Sequence, residues 1–182
     1  MTFNFKTATR TMLKQEYDRI AAETGDDQFF TKKELFHIPK VLADGEPVLA
    51  FSSGLMDGHT WLIALTDRRL LFLNKGLIYG LKQTSIELDK LNSVTAETGL
   101  FFGTIKIEDS AKQRKIENVL KKTVIRFTNK VREAVEARGR HSAPGSGNDD
   151  PIAKLERLAA LKERGVLSEA EFMQQKQALL KG

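Results

Sequence analysis

The chain has no cysteine, and histidine and proline are scarce, with three and four copies among 182 residues. The lack of cysteine excludes disulfide frameworks, thiolate metal sites and cysteine nucleophiles. His37, His59 and His141 lie far apart with no second ligand at metal-binding spacing, so we expect neither a metal site nor another cofactor. A G-x-S-x-G elbow and a glycine-rich phosphate loop are also missing. We therefore predict a non-enzymatic protein without a small-molecule substrate.

Long apolar runs are absent as well. No stretch approaches the ~20 consecutive apolar residues that span a bilayer, and the N-terminal sequence MTFNFKTATR lacks the apolar segment of a signal peptide. Hydrophobic residues make up 41% and charged residues 29% of the chain, as in ordinary globular proteins. These features predict a cytoplasmic protein with room for one domain and a smaller appendage.

The first part of the chain predicts two helices. Apolar residues recur at helical spacing between Thr7 and Glu23. Thr31 and Glu34 then have the spacing of a capping box, in which each side chain satisfies a free backbone N–H at the start of a helix. Pro39 should limit this second helix to Lys32–His37.

Residues 46–119 have the pattern of short strands separated by turn sequences. We predict strands at Pro47–Ser52, Thr60–Thr66, Arg69–Leu73, Leu77–Gln83, Ser85–Leu88, Ser93–Thr98, Gly103–Glu108 and Arg114–Glu117. Connections this short cannot hold crossover helices, so the sheet should be antiparallel. Trp61–Leu65 and Leu70–Leu73 are continuously apolar, which indicates strands covered on both faces. The glycines of Gly99–Gly103 indicate a hairpin bend, and Phe101 and Phe102 within it are expected to fill the core, as are Phe29 and Phe30.

The last third of the chain predicts a long helix, a linker and a helical hairpin. Residues 119–138 carry an apolar stripe that suits a helix closing the end of a small barrel. Gly, Ser, Pro and Asn in residues 139–150 indicate a flexible linker. Gly165, between two amphipathic segments in residues 151–182, predicts the hairpin. Its candidate contact residues are Leu155, Leu158, Phe172 and Leu179.

Two family resemblances follow from these segments. From about residue 40 to residue 135 the chain resembles bacterial pleckstrin-homology-like domains of the YokE type. The resemblance rests on GEPVLAF (45–51), LTDRRLLFL (65–73), GLIYGLKQ (76–83), IELDKLNSV (86–94) and GTIKI (103–107). Residues 151–181 resemble the short C-terminal domain, SHOCT, through Leu155, Leu158, Gly165, Ser168, Glu171, Phe172 and Lys176.

The resemblances imply an α+β fold and a binding activity. The expected architecture is a PH-like seven-stranded antiparallel barrel or sandwich, capped by a C-terminal helix. The expected division is an N-terminal helical extension (1–37), a PH-like domain (38–138), a flexible linker (139–150) and a SHOCT-like helical hairpin (151–182).

Phosphoinositide-binding relatives hold phosphates with basic residues around the first hairpin loop. The corresponding residues 52–59 contain no Lys or Arg, which argues against inositol phosphate binding there. Leu55 and Met56, at the expected loop tip, could form a small contact with a partner or membrane.

The net charge of +5 is local to one segment. Residues 119–140 contain seven Lys or Arg against two Glu, whereas residues 1–37 contain six of each sign. The candidate anion or partner face consists of Lys121, Lys122, Arg126, Lys130 and Arg132. A solvated outer face explains the same residues, and we favour it because no aromatic residue interleaves the cations.

The leading functional hypothesis is a binding or scaffold protein. Its PH-like domain would dock a protein partner, and its tethered hairpin would mediate self-association or a second contact. The alternative is peripheral binding to an anionic membrane through the basic helix 119–140, followed by non-specific binding of nucleic acid through the same helix.

Overall fold

The computed structural model describes residues 3–27, 31–76, 80–142 and 172–173. The chain divides into two compact units, Met1–Gly139 and Arg140–Gly182. In the second unit Phe172 is helical and half-buried. The other predicted hairpin contacts, Leu155, Leu158 and Leu179, lie outside the described residues, as do Phe29 and Phe30.

The described residues between 3 and 142 form four α-helices and seven strands, and the last helix ends three residues after the first unit. Their bounds are α1 Arg10–Thr24, α2 Lys32–Leu35, α3 Ile38–Val41, β1 Val48–Met56, β2 His59–Thr66, β3 Arg69–Lys75, β4 Leu81–Glu87, β5 Leu91–Thr98, β6 Phe102–Asp109, β7 Gln113–Leu120 and α4 Lys121–Ser142. Two of the predicted strands, on either side of residue 84, form the single strand β4. The part of the first prediction at residues 77–79 lies outside the described residues. Helix α4 continues to Ser142, so the first residues of the predicted linker are helical.

The seven strands form one antiparallel sheet in the order β4-β3-β2-β1-β7-β6-β5. This confirms the predicted antiparallel PH-like architecture and its capping helix. The sheet is not closed, however, because β4 and β5 form its two ends. Strands β1 and β7 join its two halves through a short pairing at Leu55 and Glu117.

The inner core lies between one face of the sheet and α4. It contains side chains from all seven strands, among them Ala50, Ile63, Phe72, Ile86, Val94, Ile105 and Ile116. Helix α4 contributes Val124, Phe127 and Val131, all fully buried. These three residues belong to the predicted apolar stripe of this helix, so its capping role is confirmed.

A second core lies on the outer side of β1, β2 and β3, where the N-terminal helices cover the sheet. Leu13, Tyr17 and Ile20 of α1 pack with strand residues that point away from the inner core. Those strand residues are Val48, Phe51, Leu62, Ala64, Leu71 and Leu73. Strands β2 and β3 are therefore covered on both faces, as their continuous apolar sequences predict.

Both ends of α1 have capping contacts. Thr9 caps the helix by accepting a hydrogen bond from the N–H of Met12 at 3.3 Å. Gly25 ends it in a left-handed conformation with φ of 79°, and its N–H donates to the carbonyl of Ala21.

The predicted capping box at Thr31 and Glu34 is wrong. The Thr31 hydroxyl bonds the Ser53 hydroxyl at 2.6 Å, and Glu34 Oε1 accepts the backbone N–H of Lys75 at 2.9 Å. Tertiary contacts with β1 and β3 thus take both side chains away from the helix start. Pro39 also lies within the short helix α3, which the sequence interpretation missed.

Each helix in the described part of the chain is too short or too polar to span a bilayer.

Candidate functional site

The most exposed apolar residues lie at the turn between β5 and β6. The side chains of Leu100, Phe101 and Phe102 are 79%, 71% and 52% exposed. The Gly99 N–H donates to the carbonyl of Phe102 at 2.8 Å, which closes the predicted bend. The expectation that Phe101 and Phe102 fill the core is therefore wrong, because both residues remain exposed at the bend.

Helix α4 begins beside this turn and extends the exposed apolar surface. The N–H of Lys121 donates to the carbonyl of Phe101 at 3.0 Å and fixes the turn against the start of the helix. Ile125, one turn along α4, is 47% exposed. We call Leu100, Phe101, Phe102 and Ile125 the apolar tip.

A shallow groove of about 480 Å³ runs between the turn and the helix. Its lining consists of Leu100, Phe101, Leu120, Lys121, Lys122 and Ile125. Among these described lining residues there are two lysines and no acidic side chain. The groove therefore combines apolar surface with positive charge at one place.

The five predicted basic residues do not form one uniform face. Lys121 and Lys122 are exposed beside the apolar tip, while the methylene carbons of Lys122 pass close to Gly25. Arg126 donates to the carbonyls of Ala22 and Glu23 at 3.5 and 3.2 Å. Because these carbonyls belong to the C-terminal turn of α1, Arg126 favourably meets the negative end of that helix.

The remaining two basic residues lie farther along α4. Lys130 is 3.7 Å from the carboxylate of Glu133. Arg132 donates to the carbonyl of Val94 at 3.2 Å and to Asn129 at 3.5 Å. Arg126 and Arg132 thus have partners within the fold, and Lys121 and Lys122 are the two members placed beside exposed apolar surface.

The first hairpin differs from its expected form. Met56 is buried in the inner core at the end of β1, and its carbonyl accepts a hydrogen bond from the Trp61 indole at 3.1 Å. Its predicted role as an exposed contact is wrong, since the turn consists of only Asp57 and Gly58. Leu55 is half-buried and lines a separate cavity of about 420 Å³.

The described residues contain no group of three His, Asp or Glu side chains that could hold a metal ion. His37 and His59 lie in different parts of the fold, after α2 and at the start of β2.

Two protein-family models match the chain. A model described as bacterial PH domain matches residues 42–133, and the short C-terminal domain model matches residues 153–180. These matches confirm both predicted resemblances. Residues 3–27 and 31–41, which build the outer core, precede the matched PH region. Domains of both kinds are typically non-catalytic interaction domains.

Solved structures of bacterial PH domains are also similar to the chain. A pleckstrin homology domain from Shewanella amazonensis SB2B has a TM-score of 0.43 at 18% identity, covering 58% of this chain and 97% of that one. A protein with a pleckstrin-homology domain from Shewanella loihica PV-4 has a TM-score of 0.39 at 18% identity, covering 65% and 95%. No curated protein matches the chain.

Proposed function

This protein belongs to the bacterial PH domain family, and we propose that it is a non-catalytic attachment protein that docks on an anionic lipid surface. The observation that carries the proposal is the apolar tip with Lys121 and Lys122 beside it. An apolar loop with adjacent cations suits a lipid interface, where the apolar groups enter the acyl boundary and the cations face acidic headgroups.

The expected energies suit reversible attachment. Full burial of a large apolar side chain is worth about 2 kcal/mol, so Leu100, Phe101 and Ile125, which are 79%, 71% and 47% exposed, together supply about 4 kcal/mol. Each lysine near an anionic leaflet adds about 1 kcal/mol. The cost of association offsets much of this gain. We therefore expect weak binding that needs both the apolar residues and the negative lipids.

The size and exposure of the tip favour lipid over a protein partner. A stable protein interface takes about 800 Å² and 20–30 residues from each partner, more than a four-residue tip supplies. A side chain that keeps 79% of its surface exposed protrudes from its surroundings. The leading hypothesis from sequence is that the PH-like domain docks a protein partner, without a specified surface; protein docking at this tip becomes the other outcome of the test.

Vesicle flotation of the full chain tests the proposal. At low salt the protein should float with phosphatidylglycerol vesicles and remain unbound with phosphatidylcholine alone. The double variant Leu100→Ser/Phe101→Ser and the double variant Lys121→Gln/Lys122→Gln should each lose most of the bound fraction. Binding should also fall in 0.5 M salt, since screening weakens exposed charge attraction.

Two matched controls keep the result specific. Met12→Ser removes an apolar side chain of similar exposure, 48%, from α1. Lys90→Gln/Lys112→Gln removes the same charge from exposed positions elsewhere. Both should float like the natural chain. The proposal fails if the natural chain does not float, or if the controls lose as much binding as the tip variants.

Self-association through the C-terminal hairpin is a second proposal, supported by the match of the short C-terminal domain to residues 153–180. About 30 residues bury little surface alone, so such a hairpin gains stability from a second contact. Sedimentation equilibrium should give a concentration-dependent mass for the full chain and a monomer mass for Leu155→Asp/Leu158→Asp. Equal masses would refute self-association.

Nucleic-acid binding by α4 has less support. Arg126 and Arg132 donate to backbone carbonyls of the fold, which leaves fewer cations for phosphate contacts. Absence of a gel shift at low salt would exclude it.

A further inference from the structure

A cationic cleft lies on the side of the molecule built by the N-terminal helices. Its volume is about 640 Å³, and its charged or titratable lining consists of Arg10, Lys32, Lys33, His37, Lys40 and Lys75. These residues come from α1, α2, α3, the connection before α3 and the end of β3. Leu13 and Phe36 add apolar lining.

Several acidic residues of the N-terminal extension have partners outside this cleft. Along α1, Glu16 pairs with Arg19 at 2.7 Å and Asp18 with Lys14 at 2.6 Å. Asp26 accepts the backbone N–H of Ser53 at 2.7 Å. These three carboxylates therefore have partners other than the cations of the cleft.

The cations of the cleft have little internal compensation. In the described ranges, Lys33 is the one lining residue within ion-pair distance of a carboxylate, that of Glu34 at 3.8 Å. Glu34 is itself buried, and it accepts the Lys75 N–H at 2.9 Å, which joins α2 to the end of β3. Burial lowers the pKa of His37, and the positive charges of Lys75 and Lys40 lower it further. The cleft thus places several positive charges around one imidazole.

One cation is already oriented. The guanidinium of Arg10 lies 4.8 Å from the centre of the Phe36 ring, within cation–π distance. The stacked position restricts the side chain while leaving its N–H groups available to oxygen acceptors on a ligand.

We infer that the cationic cleft binds a compact anion that carries two or more phosphate groups. Five formal positive charges from four elements converge on one volume, and a multiply charged phosphate provides oxygen acceptors in several directions. A single carboxylate would neutralise one of these charges. The ligand could be a soluble polyphosphate or a lipid headgroup with a phosphomonoester, which share this chemistry.

The cleft is distinct from the apolar tip. Arg10 and Leu13 belong to the first turn of α1, whereas Lys122 beside the tip passes Gly25 at the other end of that helix. Fifteen helical residues separate the two ends by about 22 Å. All lining residues except Lys75 precede the region that matches the bacterial PH domain.

Titration calorimetry with tripolyphosphate tests the soluble source, and flotation on vesicles containing phosphatidic acid tests the lipid source. In the full chain, Lys32→Glu/Lys40→Glu should weaken binding by roughly tenfold or more, because two charge-assisted contacts become repulsive. Lys90→Glu/Lys112→Glu changes the net charge equally at exposed sites outside the cleft and should leave affinity within about twofold. Circular dichroism should show that all variants are folded.

The outcomes distinguish a soluble ligand from a lipid headgroup. They also distinguish binding by the cationic cleft from attachment by the apolar tip. Tripolyphosphate binding that the cleft variant loses supports a soluble ligand. Binding only to phosphatidic acid vesicles, lost in the cleft variant but kept in Leu100→Ser/Phe101→Ser, supports a headgroup. The inference is overturned if neither probe binds, or if the cleft and control variants weaken binding equally, which would indicate general charge attraction.

Discussion

Glu46 is a buried carboxylate in the segment before β1, and it links this segment to the turn between β2 and β3. Its two oxygens accept hydrogen bonds from Arg69 at 2.9 and 2.8 Å, from the Thr66 hydroxyl at 2.8 Å and from the Ala43 N–H at 2.7 Å. Arg69 also donates to the carbonyl of Val41 at 3.0 Å, which ties α3 to the same point. A two-pronged arginine–carboxylate contact of this kind restricts geometry as well as adding energy.

Replacement of this carboxylate should destabilise the fold. Glu46→Gln leaves the Arg69 guanidinium without its counter-charge, so we expect the free energy of unfolding in urea to fall by about 3 kcal/mol at pH 7. Asp67→Asn, at an exposed residue of the neighbouring turn, is the control and should change it by less than about 0.5 kcal/mol.

The destabilisation should depend on pH in a defined direction. Burial opposes ionisation of Glu46, but hydrogen bonds from Arg69, Ala43 and Thr66 outweigh it, so its pKa lies below the usual 4.5. A carboxylate with a lowered pKa in the folded state stabilises the fold above its unfolded pKa and loses that contribution as pH falls through the folded pKa. The difference between natural chain and Glu46→Gln should be constant above pH 6 and shrink below pH 4.5. A difference that grows on acidification would contradict this interpretation.

Among the elements, the junction between β1 and β7 is closely packed. Gly54 has no room for a side chain, because a Cβ there would clash with Ile116 Cγ2 and lie 2.8 Å from the carbonyl of Glu117. The lack of a side chain allows the two strands to approach closely where the two halves of the sheet meet.

Gly54→Ala should therefore cost about 2 kcal/mol or more of unfolding free energy through overpacking at this junction. Gly139→Ala is the matched control, since nothing lies within 4 Å of its added Cβ and the residue is helical. It should stabilise the protein by up to about 1 kcal/mol. Chemical denaturation of both variants measures the contrast, and equal effects would show that the junction tolerates a side chain.

Local sequence patterns predicted the helices and strands more accurately than they predicted the tertiary contacts between them. The strands and turns followed from alternation and turn residues because both depend on neighbours in sequence. The capping box failed because Glu34 binds the Lys75 N–H, 41 residues away, a partner that local spacing cannot reveal. Phe101 and Phe102 were misassigned because residue type alone does not distinguish a core aromatic from an exposed one. The glycines around them were the available signal, since they marked a bend.

At the scale of the whole molecule, the N-terminal extension forms one folding unit with the sheet. Tyr17 of α1 contacts the rings of Phe5, Phe36 and Phe51, with centroids 5.9 to 6.2 Å apart. Sequence patterns showed the apolar stripe of α1 but not the outer face of β1–β3 that it covers. For the same reason the cationic cleft escaped prediction, since its residues meet only when these helices pack on the sheet.

A charge placed under α1 should destabilise the entire unit. Ile20 is fully buried in the outer core, so Ile20→Asp should lower the free energy of unfolding by about 4 kcal/mol in one cooperative transition. Met12→Asp, on the exposed side of the same helix, should change it by less than about 1 kcal/mol. Two separate transitions in Ile20→Asp, with the sheet unaffected, would show that the extension folds independently.

Depth-dependent fluorescence can detect whether the apolar tip enters the lipid bilayer. The chain has a single tryptophan, Trp61, so Phe101→Trp in a Trp61→Phe background places the one indole at the tip. On addition of phosphatidylglycerol vesicles, its emission should shift to the blue, and lipids brominated on the acyl chain should quench it. If circular dichroism shows that the variant is folded, unchanged emission with no quenching would show that the tip does not enter the lipid.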